Sequence, residues 1–314
     1  MLRLINMKRI KLFSICLCGL ILSSCGNKDV VEDKGTVEFA TMTLFKESPY
    51  NTLMPRPIFS NPKTLNNVEF EYVIEDENIV SFENNYFTYK NKGNTKVTAK
   101  SKDFTYTFDV ICLENYDFDS AYKNIKTTYI AKDSPTEQTL FIGDSFFQFW
   151  RDNTIPGRSF AKDFKGRNCY NIGMNGSQTK HWRVLVKEFV KEMKPKNIIL
   201  NLGTNNINVN SDTGLIVSKK IMSLIEDFHY YLEDTNIYYV SITRCTGTFS
   251  KNWNDAKMSN EIVKEYIDNR DYVNYLDLNE IFGDDYADYL YDGLHLNNKG
   301  YGVLKDLILE NVTM

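Results

Sequence analysis

Histidine is almost absent from this chain: its 314 residues include only His181, His229 and His295. A multi-histidine metal site is therefore hard to assemble. Positive charge is also short, with 37 Lys and Arg against 41 Asp and Glu, for a formal net charge of -4. That balance, with a pI near 5.6, argues against a nucleic-acid role that depends on a basic face. The apolar run at residues 12–22 is too short to span a membrane as an ordinary helix. Of the six cysteines, Cys16 and Cys18 lie inside that run and Cys25 just beyond it. Cys112, Cys169 and Cys245 are left, an odd number at no metal spacing. They read as buried apolar thiols, and sequence alone pairs none of them. Aromatics, by contrast, are plentiful: 20 Tyr and 20 Phe are ample for cores and for an aromatic-lined site.

The N-terminus does not read as part of a fold. Lys8, Arg9 and Lys11 form a positive region ahead of the apolar run, as in an export signal. The run closes on Leu22-Ser23-Ser24-Cys25, followed by Gly26. This tetrapeptide resembles a bacterial lipobox. The resemblance implies cleavage before Cys25, lipidation of its thiol and a firm membrane anchor. Residues 1–24 are then a lipoprotein signal peptide and 25–35 a tether. The mature protein is expected in the bacterial cell envelope, outside the cytoplasm. The alternative is a plain secretory signal with an incidental cysteine. Met7 is an alternative start, since residues 1–6 add nothing that a signal requires.

Residues 36–114 predict an all-β domain. Short, largely alternating stretches rich in Val, Tyr, Phe and Thr occur at 68–74, 79–83, 86–90, 95–100 and 104–113, with turn signals between them. Such close spacing suggests a small sandwich. The stretch 72–110 resembles bacterial immunoglobulin-like domains of group 2, on its D-x-x-I-V-x-F and G-x-x-x-V-T-A patterns. It carries no catalytic constellation, so a spacer or weak binding module is expected. Residues 115–137 are polar, lack a clear period apart from a helical-looking 118–129, and read as a linker.

From residue 138 to 314 the pattern changes. Apolar runs at 139–142, 169–172, 197–202, 236–242 and 272–278 alternate with helical stretches, of which 178–193, 214–232, 254–269 and 299–312 are clearest. Five alternations predict an α/β domain with a parallel sheet covered on both faces. In such sheets ligands bind beyond the carboxyl ends of the strands. The peptides expected at those ends are Gly143-Asp144-Ser145, Asn171 to Thr179, Leu202 to Asn208 and Tyr291 to Tyr301. Ser145 is a nucleophile if a base removes its proton. His295 is the best-placed base, and Asp292, three residues earlier, is close enough to orient it. The backbone N–H groups of Ser145 and Gly176 and the side-chain amide of Asn205 are candidate oxyanion donors.

In these residues the chain resembles the SGNH (GDSL) hydrolase family. Its blocks fall, in order, on Gly143-Asp144-Ser145, on Gly176, on Gly203-Thr204-Asn205-Asn206 and on Asp292-Gly293-Leu294-His295. Asn206 departs from the aspartate common there, at a position that supports the loop. The resemblance covers residues 139–312 and implies a flavodoxin-like, three-layer fold with a five-stranded parallel sheet. It implies ester hydrolysis with Ser145, Asp292 and His295 catalytic, and no metal or organic cofactor.

Other features have plainer readings. Ser177-x-x-Lys180 lacks its usual partner motifs and reads as a helix cap. His181 reads as a surface or pocket-rim residue, and His229 as a mid-helix residue. Phe146, Phe147, Phe149 and Trp150 read mostly as core, with Phe146 a candidate for the acyl pocket. Trp182 and Trp253 are candidates to stack on a sugar ring. The expected substrate is an acylated small molecule or polysaccharide outside the cell, with short acyl groups, acetyl above all. A lysophospholipase or short-chain lipase and an acyltransferase of the same fold are the alternatives. A surface binding lipoprotein without turnover is the rival from another class.

Overall fold

The computed structural model describes residues 34–130 and 136–314. The signal segment and Cys25 lie outside the described residues. Five strands form one parallel sheet in the spatial order Cys169–Asn171, Thr139–Gly143, Asn197–Asn201, Asn236–Val240 and Val273–Leu276. All five residues of Thr139–Gly143 and of Asn197–Asn201 are buried, as expected for strands covered on both faces. Side chains alternate between two cores. Leu140, Ile142, Ile198 and Leu200 pack under the helices Thr179–Leu185, Gly214–Tyr231 and Trp253–Ile267. Phe141 and Ile199 point the other way, toward Ser145–Arg151 and Asn298–Asn311. The strand order places a topological switch between the first and third strands in sequence, which is where such folds open a crevice.

Residues 37–113 are built almost entirely of strands, in a layout consistent with an immunoglobulin-like sandwich. Met42–Phe45 runs parallel to Thr105–Leu113, which continues antiparallel to Gly93–Lys100 and then Glu71–Ile74. A second sheet holds Thr52–Leu53, Tyr86–Tyr89 and Val80–Glu83, and a third pairs Val37–Phe39 with Pro57–Phe59. Leu44, Val97, Val110 and Phe87 fill the core, where Phe39 stacks on Phe108 at 4.9 Å. The four N-terminal strands have no clear alternating signature in the sequence. They are two to four residues long, and Met42–Phe45 is buried on both sides. Met42 and Leu44 enter the sandwich core, whereas Phe45 packs with Tyr116 against the α/β domain.

The two halves share an interior. Residues 34–314 form one compact unit. Arg56 of the sandwich and Arg183 both donate to Asp227, at 2.9 and 2.6 Å, and Asp227 is 1% exposed. Lys219 pairs with Glu38 at 2.9 Å, and Arg270 donates to the Phe59 carbonyl. The segment after residue 114 is packed as well. Tyr116 stacks on Tyr50 at 3.9 Å and donates to the His181 carbonyl, and Asp119–Ile125 is a helix that buries Tyr122 and Ile125.

Removing a partner from a buried ion pair costs about 3–5 kcal/mol, because a charge is left uncompensated. Asp227→Ala strands two guanidinium groups and is expected to lower the unfolding free energy by at least that amount. Arg56→Met leaves the Arg183 pair intact and is expected to cost clearly less. Urea unfolding of the two variants against the parent measures the difference.

Candidate active site

The first parallel strand ends in a knot of hydrogen bonds. The Gly143 carbonyl accepts from Met174 N at 2.9 Å and from Ser177 Oγ at 3.1 Å, which pins the loop after the second strand. A Cβ on Gly143 would come 2.7 Å from the Asn201 carbonyl oxygen and 2.8 Å from the Phe147 ring. Glycine stands here because neighbouring backbone approaches closely, and not for a left-handed turn. Asp144 caps the next helix by accepting from Phe146 N at 3.1 Å, and its other oxygen accepts from Asn205 Nδ2 at 3.0 Å. Loops after the first, second and third strands thus meet around residues 143–145.

Ser145 begins the helix Ser145–Arg151 and is nearly buried. His295 Nε2 lies 2.9 Å from Ser145 Oγ, and His295 Nδ1 lies 2.7 Å from Asp292 Oδ2. Asp292 Oδ1 also accepts from the backbone N–H groups of His295 and Leu294, at 2.8 and 3.0 Å. Burial pushes the Asp292 carboxyl up, but the His295 ring and these two N–H groups outweigh it and hold the carboxyl below its ordinary range. An ionised Asp292 keeps the proton on Nδ1 and leaves Nε2 free to accept the serine proton. Phe149 and Phe146 pack beside the imidazole, with ring centroids 4.5 and 5.5 Å from it.

The three candidate oxyanion donors lie on these tied loops. Among the described residues, the backbone N–H groups of Ser145 and Gly176 have no acceptor. Gly176 has φ +81°, a left-handed turn that glycine adopts readily. Asn205 Nδ2 donates to Asp144 Oδ2 and, at 3.2 Å, to the Ser177 carbonyl. Asn206, the departure from the family pattern, is fully buried; it accepts from Thr179 N and donates to Thr179 Oγ1 and Asp212, bracing the loop.

Three expectations need correcting. Trp182 is fully buried with Nε1 donating to Ser177 Oγ at 3.0 Å, so it is closed to a sugar ring. Phe146 is 2% exposed and packs in the core beside His295, so it does not line an open acyl pocket. His181 is buried and not at a rim: its Nδ1 accepts from Gln178 N in a helix cap, and burial, with a smaller push from Lys180, lowers it to about 3. His229 stacks on Tyr272 at 3.6 Å, within a helix and away from Ser145. Trp253, in contrast, does line an open cleft. Together with Thr204, Ile207, Ile242, Cys245 and Phe249 it lines a shallow cleft, whose interior has room for about one water molecule. Cys245 is buried there, and burial pushes its thiol up to about 12.

Phe118 has no signal in the sequence as a site residue. It lies in the segment without a period, yet its ring reaches Gly176, 3.9 Å from where a Cβ would sit, and packs on His181 at 4.4 Å.

The comparisons with known proteins agree with this geometry. Residues 141–303, more than half of the chain, match the GDSL-like Lipase/Acylhydrolase family. The chain belongs to that family. As a GDSL-like acylhydrolase it is an enzyme that hydrolyses esters. Among curated proteins it is 27% identical over 212 residues to the N-acylneuraminate cytidylyltransferase of Escherichia coli O18:K1:H7 (strain RS218 / NMEC). That match takes in 61% of this chain but only 45% of the relative, so the chain spans about half of its length. Among solved structures, a “putative acylhydrolase” from Bacteroides fragilis NCTC 9343 shares the fold, with a TM-score of 0.51 and 19% identity over 61% of this chain and 96% of that one. A GDSL-like lipase from Bacteroides thetaiotaomicron VPI-5482 aligns at a TM-score of 0.48 and 18% identity, covering 60% and 95% of the two chains.

Asp144 offers a pH test of this acylhydrolase site. It is completely buried, and burial raises its carboxyl to about 7 against the pull of its hydrogen bonds from Phe146, its own N–H and Asn205. A folded-state value above the unfolded one means the carboxyl contributes most below its ordinary range near pH 4. That contribution is lost as pH rises toward 7, on the order of a few kcal/mol. Stability against urea is therefore expected to fall between pH 4 and 7 more steeply in the parent than in Asp144→Asn. Equal slopes would mean that Asp144 is ionised throughout.

Proposed function

We propose that this enzyme removes short acyl groups, acetyl above all, from carbohydrate esters outside the cell, through an acyl-enzyme on Ser145. The observation that carries the reading is the relay from Ser145 Oγ to His295 Nε2, 2.9 Å, and from His295 Nδ1 to Asp292, 2.7 Å. His295 takes the serine proton as Oγ attacks the ester carbonyl, and Asp292 stabilises the imidazolium. The N–H groups of Ser145 and Gly176 receive the oxyanion. Asn205 joins them by giving up the longer of its two hydrogen bonds, that to the Ser177 carbonyl. The alcohol leaves with the proton from His295, and water then repeats the sequence on the acyl-enzyme.

The acyl and alcohol preferences rest on separate supports. The cleft beside Thr204, which precedes the candidate donor Asn205, is shallow and narrow, which favours a short acyl group over a long chain. The curated relative that matches 212 residues is named for an acylated sugar, which favours a glycan alcohol; its cytidylyl transfer is not carried over. The lipobox-like Leu22-Ser23-Ser24-Cys25 favours an exported, lipid-anchored enzyme.

A fluorophosphonate probe is expected to label the parent and to leave Ser145→Ala unlabelled. Ser145→Ala and His295→Ala are each expected to lower kcat on p-nitrophenyl acetate by roughly 10⁴-fold or more. A folded parent that takes no label overturns the serine mechanism. Faster cleavage of longer acyl esters than of acetyl overturns the chain-length reading alone.

A further inference from the structure

We propose that Arg244 binds a carboxylate on the alcohol side of the substrate, so that the preferred ester is borne by an acidic sugar. The inference rests on the carbohydrate reading above and deepens it. Arg244 follows the fourth parallel strand, on the loop that carries Cys245 and Thr246. That loop is tied directly to the one bearing Asp292 and His295, because Thr246 N donates to the Gly293 carbonyl at 2.8 Å. The backbone N–H of Arg244 is fixed in turn by Asn279 Oδ1 at 2.8 Å.

The side chain is held by rings and not by a charge. The guanidinium carbon lies 4.1 Å from the centroid of Tyr286 and 5.6 Å from that of Trp253, and the residue is half-buried. Trp253 is also a wall of the cleft beside Thr204, so the cation stands one indole away from that cleft, on its outer side. Among the described residues no carboxylate lies within ion-pair distance of Arg244, although Asp284, Asp285 and Asp288 are exposed on the same segment as Tyr286. The other half-buried or buried arginines of this domain are paired: Arg151 with Asp152, Arg158 with Asp163, Arg183 with Asp227 and Arg270 with Glu226. Two aromatic faces fix the plane of the guanidinium while leaving its N–H edge to donate two parallel bonds to a planar anion. A charge so preorganised at the rim of a neutral, apolar cleft discriminates by charge and not by shape.

The test uses a matched pair, acetylated glucuronic acid and its uncharged acetylated glucuronamide, with acetate release as the readout. The parent is expected to favour the acid in kcat/KM by about ten- to hundredfold, mainly through KM. Arg244→Met is expected to bring the ratio of the two substrates close to one, and Arg244→Lys to restore part of it. Added salt shrinks the parent's ratio, as for any partly exposed charge pair. A parent ratio of one, or an equal loss on both esters in Arg244→Met, overturns the proposal and makes the residue a packing element between its rings. If p-nitrophenyl acetate is hydrolysed while neither sugar derivative is, the carbohydrate reading itself fails, and the two failures are told apart.

Discussion

Everything at this site depends on what happens where the first parallel strand stops. Gly143 is pressed against the Asn201 backbone, so the central pair of strands sits too close for any side chain there. The next carbonyl and carboxylate then act as anchors. Gly143 holds the loop of Gly176 through Met174 and Ser177, and Asp144 holds the helix of Ser145 and the amide of Asn205. Two consecutive residues therefore determine the relative positions of a nucleophile and all three candidate oxyanion donors. Because the anchoring groups are buried, water competes little for them, and the backbone of the site is set before a substrate arrives, with the Asn205 amide alone left to exchange a bond.

The imidazole reaches this centre by a different route. Asp292 and His295 belong to one tight loop, closed by the Leu290–Leu296 bridge and by Tyr291 N donating to the His295 carbonyl. Asp292 is bound to its histidine through the ring and through backbone N–H groups of its own loop, so the acid–base pair is assembled locally. Delivery to Ser145 needs only that this loop be placed correctly. The helix that follows does so: Tyr301 donates to the Phe146 carbonyl, tying the two helices that flank the imidazole. Phe146 and Phe149 then pack beside the ring. Part of the aromatic run after the serine thus serves as backing for the base.

This difference explains what the amino-acid sequence reveals and what it hides. Strand-and-helix alternation from residue 139 is a strong periodic signal, and the five-stranded sheet follows it closely. Asp292 and His295 are three residues apart, and Gly143 to Ser145 are consecutive, so both groups are visible as short patterns. Burial is a property of the whole fold, and here inspection of the sequence fails. Trp182 and His181 lie on one helix, and His181 is covered by Phe45 of the sandwich and by Tyr116 and Phe118 of the segment that follows it. Met42–Phe45 fails for the same reason, since burial on two sides erases alternation, and the other strands before residue 60 are too short, at two or three residues, to show a period. Phe118 is hidden most completely, because its position is set by contacts with Gly176 and His181, about 60 residues away in the chain.

Those contacts change what the sandwich does. A spacer would meet its neighbour through a small polar surface. Here a chain of rings runs from Tyr50 through Tyr116 and Phe118 to His181, at centroid separations of 3.9, 6.4 and 4.4 Å. Asp119 at the start of the following helix is fixed by the Tyr50 hydroxyl at 3.0 Å. The last ring but one in this chain touches Gly176. The turn that carries the candidate donor Gly176 is thus packed against a side chain that the β sandwich holds through Tyr50 and Tyr116. Loss of the sandwich would remove the wall behind that turn while leaving Ser145, His295 and Asp292 untouched. The sandwich is therefore joined to the site by packing: it restricts the conformations open to the turn at Gly176, one of the candidate oxyanion donors.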